Sequence, residues 1–497
     1  MKIRYIQINP KDNVAVALEN LPSGTAISVN GNVVRLADDI PSGHKLALQA
    51  FKAGDRVVKY GFPIGVATEA IPAGGWVNEH NIHTALSGCQ DYTYEPVVCS
   101  MPDQTDEQRT FMGYRRANGE VGIRNEIWIV PTVGCVNGVA EKLASRLEAE
   151  TNLEGVDAVV AFTHNYGCSQ LGDDHENTRK ILRDVVLHPN AGAVLVVGLG
   201  CENNQPDEFR KLLGHYDTSR IRFMVCQDEK DELRTGMKML REMYEIVRKD
   251  QRTPVPLSAL RIGLKCGGSD GFSGITANPL LGVLSDYMIS RGATTVMTEV
   301  PEMFGAESIL MNRCISHEVF EQTVHLINDF KAYFIGQGYP VYENPSPGNK
   351  AGGISTLEEK SLGCTQKSGG APVSDVLSYG ERLKTDGLNL LSAPGNDLVA
   401  STALGAAGCH LVLFTTGRGT PFGTFVPTIK IATNTRLFEY KNNWMDFNAG
   451  SLLEGEDMSQ LSARFIDFVI EVASGQRTRN EQLGHHEIAI FKTGVTL

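Results

Sequence analysis

Four apolar segments, each followed by a stretch with helical spacing, constrain this 497-residue chain more than any other feature. "EIWIVPT" (126–132) leads into "VAEKLASRLEAE", and "VDAVVAFTH" (156–164) precedes "ENTRKILRDVVL". "AVLVVGLG" (193–200) precedes "PDEFRKLLGHY", and "IRFMVCQ" (221–227) precedes a helical stretch from Glu232 to about Lys249. Apolar strands alternating with helices predict a parallel sheet covered on both faces. A second region of the same kind starts near Leu260, with "RIGLKCG", "TTVMTEV", "HLVLFTTG" and "TIKIATN" as strands and a C-terminal helix near 457–474.

The first 90 residues read differently. "TAISVNGNVVRL" has the pattern of a hairpin with Asn30-Gly31 or Gly31-Asn32 at its tip. Further turns recur at "IPSGHK", "FKAGDRV" and "IPAGGWV". The reading is α/β: two α/β units with mostly parallel sheets at 113–255 and 256–497, and a small β-rich domain at 1–90. Residues 91–112 have no clear period and form a linker.

Composition excludes several functions. Hydrophobic residues at 42% and charged residues at 21% predict folded cores rather than disorder. The net charge of −12 argues against nucleic acid and anionic membrane surfaces as partners, since both demand a basic face. It leaves an acidic small molecule open, because a few local cations hold a carboxylate inside an acidic protein. The N-terminus lacks the apolar core of a signal peptide, and "AGAVLVVGLG" is too short to span a bilayer. A cytoplasmic protein is expected, and a body of this size is expected to self-associate as a homo-oligomer. The ten cysteines contain no CxxC pair, which argues against zinc ribbons and ferredoxin-type clusters.

In open parallel sheets, ligands bind beyond the carboxyl ends of the strands. Cys135 follows the first strand, His164 and Cys168 the second, and Cys201 and Glu202 the third; Cys266 and Glu299 end strands of the later region. "LKCGGSDGFSG" (264–274) adds glycines whose exposed backbone N–H groups are able to bind a carboxylate, with Ser269 and Asp270 among them. It lacks the GK[ST] of a phosphate loop, and "GLGCEN" is only part of a dinucleotide fingerprint. Asn278 reads as the N-cap of the next helix. "TTGRGTPFGT" (415–424) centres on Arg418, a candidate carboxylate clamp. Arg124 and Asn125 stand just before the first strand of the body. In the small domain, His44, Lys45, His80 and His83 fall in turns, and histidine shuttles protons near neutral pH.

At these residues the chain resembles the altronate/galactarate dehydratase family of sugar-acid lyases. The small domain is similar to the family's SAF (β-clip) domain through "DNVAVAL", "GHKLAL" and "KYGFPIG". The body is similar to the family core through "GYRRANGEVGIRN", "THNYGCSQ", "GLGCEN", "LKCGGSDGFSGITANP", "TEVPEMFGAE", "KSLGCTQKSG", "PGND" and "LFTTGRGTPFG". The resemblance implies loss of water from D-altronate to give 2-dehydro-3-deoxy-D-gluconate, in hexuronate catabolism. Galactarate dehydration or another sugar-acid or sulfolactate elimination is the alternative, and a non-catalytic sugar-acid binding protein a further one. It also implies ferrous iron, replaceable by Mn²⁺, as a mononuclear centre rather than an iron–sulfur cluster.

Such an elimination needs a base for the proton alpha to the carboxylate, an acid for the departing hydroxyl, and a cation for the developing charge. His44, His80, His164 and Lys45 are the candidate acid–base groups. Cys168, Cys266, Glu299 and Cys364 are the candidate metal ligands. Arg124, Asn125, Ser269, Asp270, Asn278 and Arg418 are the candidate substrate contacts. The small domain is expected to close over the substrate as a lid.

Overall fold

The computed structural model describes residues 4–103 and 108–497. What the sequence reading says of residues 1–3 and 104–107 lies outside the described residues. The body holds two separate parallel sheets. The first contains β1 (Glu126–Pro131), β2 (Val159–Ala161), β3 (Ala191–Gly198) and β4 (Ile221–Val225) in the order β2-β1-β3-β4. The second contains β5 (Arg261–Cys266), β6 (Thr294–Met297), β7 (Val373–Leu377), β8 (Gly387–Leu391), β9 (Leu411–Thr416), β10 (Thr428–Ala432) and β11 (Phe447–Asn448). Its order is β7-β8-β6-β5-β9-β10-β11, and every pairing is parallel.

Strand periodicity explains how the sheets are covered. Successive side chains point to opposite faces. In β1, Ile127 and Ile129 pack with Leu143, Leu147 and Leu240 from helices α1 (Asn137–Glu150) and α2 (Glu232–Val247). Trp128 and Val130 face the other way, into a core shared with Val296, Leu391 and Phe425 of the second unit. That shared core joins the two units across a dry interface, and each such side chain contributes about 1.5–3 kcal/mol by its burial. On the far face of the second sheet, Ile262, Leu264 and Leu411 pack against α3 (Ala277–Ser290) and α4 (Met458–Ala473).

The small domain is built of short antiparallel strands, and its hairpin forms as the sequence predicts. Ala26–Val29 pairs with Asn32–Arg35 across Asn30-Gly31, both at positive φ, the backbone a two-residue hairpin requires. The segment after it is not a free linker. Between Thr84 and Val97 it lies along the C-terminal unit: Tyr92 Oη donates to Glu307 at 2.6 Å, Tyr94 Oη to the Cys314 carbonyl at 2.5 Å, and Val97 N to the Asn312 carbonyl at 2.9 Å. Residues Thr110–Arg115 form a strand that pairs with Thr253–Pro256, so ordered structure begins inside the span the sequence reads as linker.

Candidate active site

β5 is the point at which the second sheet changes direction. The chain runs from β5 to β6 on one side and returns to β9 on the other, and open sheets bind ligands in the crevice such a reversal creates. Cys266 is the last residue of β5, and Glu299 lies just beyond β6. Glu299 adopts a left-handed backbone, φ 67°, strain that a non-glycine residue holds only where its surroundings fix it. That turn aims both Glu299 and Glu302 back at β5. Cys364 arrives from the helix Leu357–Thr365, labelled α5 hereafter.

Three donor atoms converge there. Cys266 Sγ lies 3.3 Å from Cys364 Sγ and 3.3 Å from Glu302 Oε2, and Cys364 Sγ lies 3.1 Å from the same oxygen. Both cysteines are free thiols, since a disulfide needs about 2 Å. Among the described residues this is the group of three acidic, thiol or imidazole ligands whose atoms all come within 4.8 Å of one another. Glu302 offers only one oxygen to the sulfurs, because its Oε1 accepts from Lys360 Nζ at 2.8 Å.

Three ammonium groups surround the centre. Lys367 Nζ donates to Cys266 Sγ at 3.0 Å and to Glu299 Oε2 at 2.9 Å. Lys265 Nζ donates to the other oxygen of Glu299 and, at 2.9 Å, to Asp397. Burial opposes charge on all three lysines, but the carboxylates and sulfurs outweigh it, so the pKa values of Lys265, Lys360 and Lys367 all lie above the usual ammonium value. Glu302 is the mirror case: burial pushes it up, Lys360, Lys265 and Lys367 pull it further down, and it stays ionised. The Cys364 thiol is pushed well above its usual value by its hydrogen bond with Cys266 and by burial.

The small domain forms the opposite wall. Lys45 Nζ and Lys59 Nζ each donate to Glu359 at 2.8 Å, one to each oxygen, and all three side chains are buried. Lys45 also donates to the Gly353 carbonyl and Ser355 Oγ, both at 2.8 Å. The glycines of the 264–274 loop let the two domains meet. A Cβ on Gly271 would stand 1.9 Å from the Gly43 carbonyl oxygen, and one on Gly274 would stand 2.4 Å from Tyr60 Oη. Between the walls lies a small cavity lined by Lys59 and Tyr60 of the small domain and by Ser269, Asp270, Lys360 and Cys364 of the body. Ser269 Oγ is buried there with no hydrogen-bond partner in the protein, an orphan that a polar ligand would satisfy.

The structure brings some of the sequence-predicted residues together and not others. Cys266, Cys364, Glu299, Ser269 and Asp270 meet at this crevice. Asp270 accepts from Phe272 N, Ser273 Oγ, Thr433 Oγ1 and Asn434 Nδ2, and burial raises its carboxyl above the usual range. Asn278 also lines the cavity. It is inside α3 rather than capping it: its Nδ2 donates to the Gly363 carbonyl at 2.9 Å and its Oδ1 accepts from Thr415 Oγ1 at 2.7 Å. Arg418 is exposed on the rim against Gly268. Lys45 and His44 are at the domain seam, with His44 Nδ1 accepting from Trp76 Nε1 at 3.2 Å and Nε2 3.3 Å from the Ala351 carbonyl; burial holds its pKa below the usual value.

Five candidates lie elsewhere. His80 is exposed, 82% accessible, beside Glu79. His164 is buried in the first unit with both ring nitrogens on backbone, Nε2 to Pro131 O at 2.8 Å and Nδ1 accepting from Tyr166 N at 3.1 Å. Cys168 is exposed in that same loop. Arg124 forms a fork with Glu481 at 2.6 and 2.9 Å, and Asn125 ties the Gly155 and Val247 carbonyls. These last two stand at the amino end of β1, where the strand starts; Arg124 serves the joint between units and Asn125 ties segments within the first unit.

The sequence reading missed Lys265, Glu302, Lys360, Lys367, Asp397 and Glu359, the partner of Lys59. A usable signal existed for two of them. In "KSLGCTQKSG", Lys360 and Lys367 stand four before and three after Cys364, the spacing that puts side chains on one helix face.

Comparison with known proteins matches this architecture segment by segment. Residues 3–85 match the altronate/galactarate dehydratase SAF domain, 113–248 the D-galactarate dehydratase/altronate hydrolase second domain, and 257–496 the D-galactarate/altronate dehydratase C-terminal domain. The chain is 58% identical to altronate dehydratase of Escherichia coli (strain K12) over 496 residues, 100% of both chains. It is 58% identical to altronate dehydratase of Bacillus subtilis (strain 168), over 99% of each. To the L-threo-forming galactarate dehydratase of Escherichia coli it is 35% identical, over 98% of this chain and 96% of that one. The chain belongs to the D-galactarate/altronate dehydratase family.

Proposed function

We propose that this protein is a hydro-lyase that removes water from D-altronate to give 2-dehydro-3-deoxy-D-gluconate, at the crevice between the small domain and the end of β5. The identity of 58% to two altronate dehydratases, against 35% to a galactarate dehydratase, favours altronate over galactarate. The observation that carries the site is the buried Cys266–Glu302–Cys364 centre ringed by Lys265, Lys360 and Lys367.

The donor set fits a divalent cation of borderline softness. Two sulfurs and one carboxylate oxygen converge, and the other Glu302 oxygen is already satisfied. Cys266, Cys364 and Glu302 would hold Fe²⁺, with Mn²⁺ as its replacement. Bound there, the metal supplies a Lewis acid for an oxygen of the substrate. The protein's own groups do the rest. The three ammonium groups stay charged, so they stabilise negative charge as the alpha proton leaves, rather than accept the proton. Asp270, on the cavity wall, has the carboxyl that burial moves toward neutrality, and it is the proposed proton-transfer group. Lys59 and Tyr60 close the cavity and exclude water. Among the described residues no helix is long and apolar enough to cross a membrane. With all ten cysteines free, a reducing cytoplasmic setting fits the reading.

The test is keto-acid formation from D-altronate, galactarate and sulfolactate, with and without added Fe²⁺ under anaerobic conditions. D-altronate is expected to be turned over fastest by at least about tenfold, or roughly 1.4 kcal/mol of barrier. Equal or greater turnover of galactarate would reassign the substrate.

A further inference from the structure

The first sheet has a reversal point of its own, and the proposed function leaves it unused. In the order β2-β1-β3-β4 the chain crosses from β1 to β2 on one side and returns to β3 on the other. Three loops leave the carboxyl ends of these strands, and each carries a Gly-Cys pair: Gly134-Cys135, Gly167-Cys168 and Gly200-Cys201. All three cysteines are free and exposed, although free cysteine is among the most buried residue types.

The loops are fastened to one another next to these cysteines. Gly134 N donates to the Tyr166 carbonyl at 2.9 Å, Asn204 N to the Gly167 carbonyl at 3.0 Å, and Ser169 N to Asn203 Oδ1 at 2.7 Å. Asn204 Nδ2 donates to the Thr132 carbonyl at 3.1 Å. A Cβ on Gly167 would stand 2.0 Å from the Thr132 carbonyl oxygen, and one on Gly134 would stand 2.7 Å from that of His164. Only glycine permits this approach at 134 and 167, and together with the Asn203 and Asn204 bonds it gathers the three cysteine-bearing loops at one end of the sheet. The polar residues beneath are occupied as scaffolding. His164 bonds backbone through both ring nitrogens, and Glu202 accepts from Thr132 Oγ1 at 2.6 Å, Leu199 N at 3.0 Å and Gly200 N at 2.6 Å. The outward chemistry left at this end is three thiols, one of which, Cys201 Sγ, accepts from Gln227 Nε2 at 3.4 Å.

A redox disulfide uses two cysteines and leaves the third unexplained. A single zinc ion at about 2.3 Å from each sulfur would draw the sulfurs to roughly 3.8 Å of one another. The three sulfurs do not gather within 4.8 Å, unlike the Cys266–Glu302–Cys364 set. Iron–sulfur clusters are larger and are held by thiolates. We propose that Cys135, Cys168 and Cys201 bind a cubane iron–sulfur cluster through three of its irons, leaving the fourth open to an oxygen ligand. Binding exchanges three thiol protons for three sulfur–iron bonds. Iron supplied as equal ferrous and ferric ions, with sulfide equimolar to iron, forms the core without net electron transfer.

The test is anaerobic reconstitution of the full-length protein with that mixture. The readouts are visible absorption, acid-labile sulfide and iron per chain, and the electron paramagnetic resonance of the reduced protein. Wild type is expected to bind about four sulfides per chain, with iron equal to the sulfide plus whatever the Cys266–Glu302–Cys364 centre holds. The triple variant Cys135→Ser/Cys168→Ser/Cys201→Ser is expected to melt with wild type, because the thiols are exposed, and to lose at least tenfold of its sulfide and the resonance signal. Cys266→Ser is expected to keep the cluster, so failure of the proposed catalytic centre and failure of this site give different results. No sulfide uptake by wild type, or equal uptake by the triple variant, overturns the proposal. So does uptake at these thiols of Fe²⁺ or Zn²⁺ alone, without sulfide.

Discussion

Replacing Glu359 by Gln tests how the small domain is held on the body. One carboxylate serves two buried ammonium groups, Lys45 and Lys59, and also accepts from Ser355 N at 2.8 Å. Burial alone would raise the Glu359 pKa; the charges of Lys45 and Lys59 outweigh it and hold it at about 2, against 4.5 unperturbed. A folded-state pKa below the unfolded one means stability that is complete above about pH 5 and is lost as the pH falls from there toward 2. The difference corresponds to about 3 kcal/mol. An independent route agrees: removing one partner of a buried ion pair costs about 3–5 kcal/mol, because the remaining charge is stranded. The same carboxylate does not satisfy both lysines equally. Burial lowers the Lys45 pKa despite Glu359, whereas Glu359 and Tyr60 raise that of Lys59. Urea unfolding of the full chain at neutral pH is therefore expected to show Glu359→Gln less stable by about 3 kcal/mol, with the deficit shrinking below pH 4.5. The triple replacement Lys45→Met/Lys59→Met/Glu359→Leu should recover most of the loss, because no charge is left unpaired. A Glu359→Gln protein within about 1 kcal/mol of wild type would refute the reasoning.

Other expectations follow from the same contacts. Cys266→Ser should keep the fold, since the volume change is small, yet lower turnover at least about tenfold, or roughly 1.4 kcal/mol; wild-type turnover would assign Cys266 to packing. Asp270→Asn should lower turnover similarly and flatten one limb of the pH–rate profile, because burial raises this carboxyl toward the working pH; an unchanged profile would remove it from proton transfer. Arg124→Met should destabilise by about 3–5 kcal/mol by stranding Glu481, with turnover per folded molecule unchanged; a selective loss of turnover would return Arg124 to the site. A chain starting at Phe111 lacks Lys59 and Tyr60 of the cavity wall, and little turnover is expected from it; near wild-type rates would make the small domain dispensable.

The α/β character was legible because its signal is local. Strands such as "EIWIVPT" and "AVLVVGLG" are apolar on both faces, and each is followed at once by its helix. The split into a four-stranded and a seven-stranded sheet was not legible, because strand order depends on crossovers that no window of sequence contains. The same division holds at the site. Cys266 was found because it sits in a glycine-rich stretch at a strand end, and Cys364 because it sits in the motif "KSLGCTQKSG", which ends the helix α5. Glu302 was passed over for Glu299, since only the left-handed turn at Glu299 shows which carboxylate faces the sulfurs. Lys265 lies in an apolar strand and is fully buried, where a lysine reads as a break in the pattern rather than as a partner for Glu299. Cys135, Cys168 and Cys201 were legible as residues at the carboxyl ends of three strands, but the strand order that sets those ends side by side was not. His80 and His164 were chosen on residue type, and type says nothing of whether a ring nitrogen is exposed or already bonded to backbone.

The most direct measurement of the central claim is keto-acid release from D-altronate by wild type and by Glu302→Gln, both anaerobic and loaded with Fe²⁺. Glu302 touches both sulfurs through one oxygen and Lys360 through the other, so the amide keeps the shape of the centre and removes its charge. The account predicts turnover by wild type and a loss of at least about a hundredfold, or roughly 2.7 kcal/mol of barrier, in the variant. Turnover of D-altronate at the wild-type rate by a folded Glu302→Gln protein would contradict it.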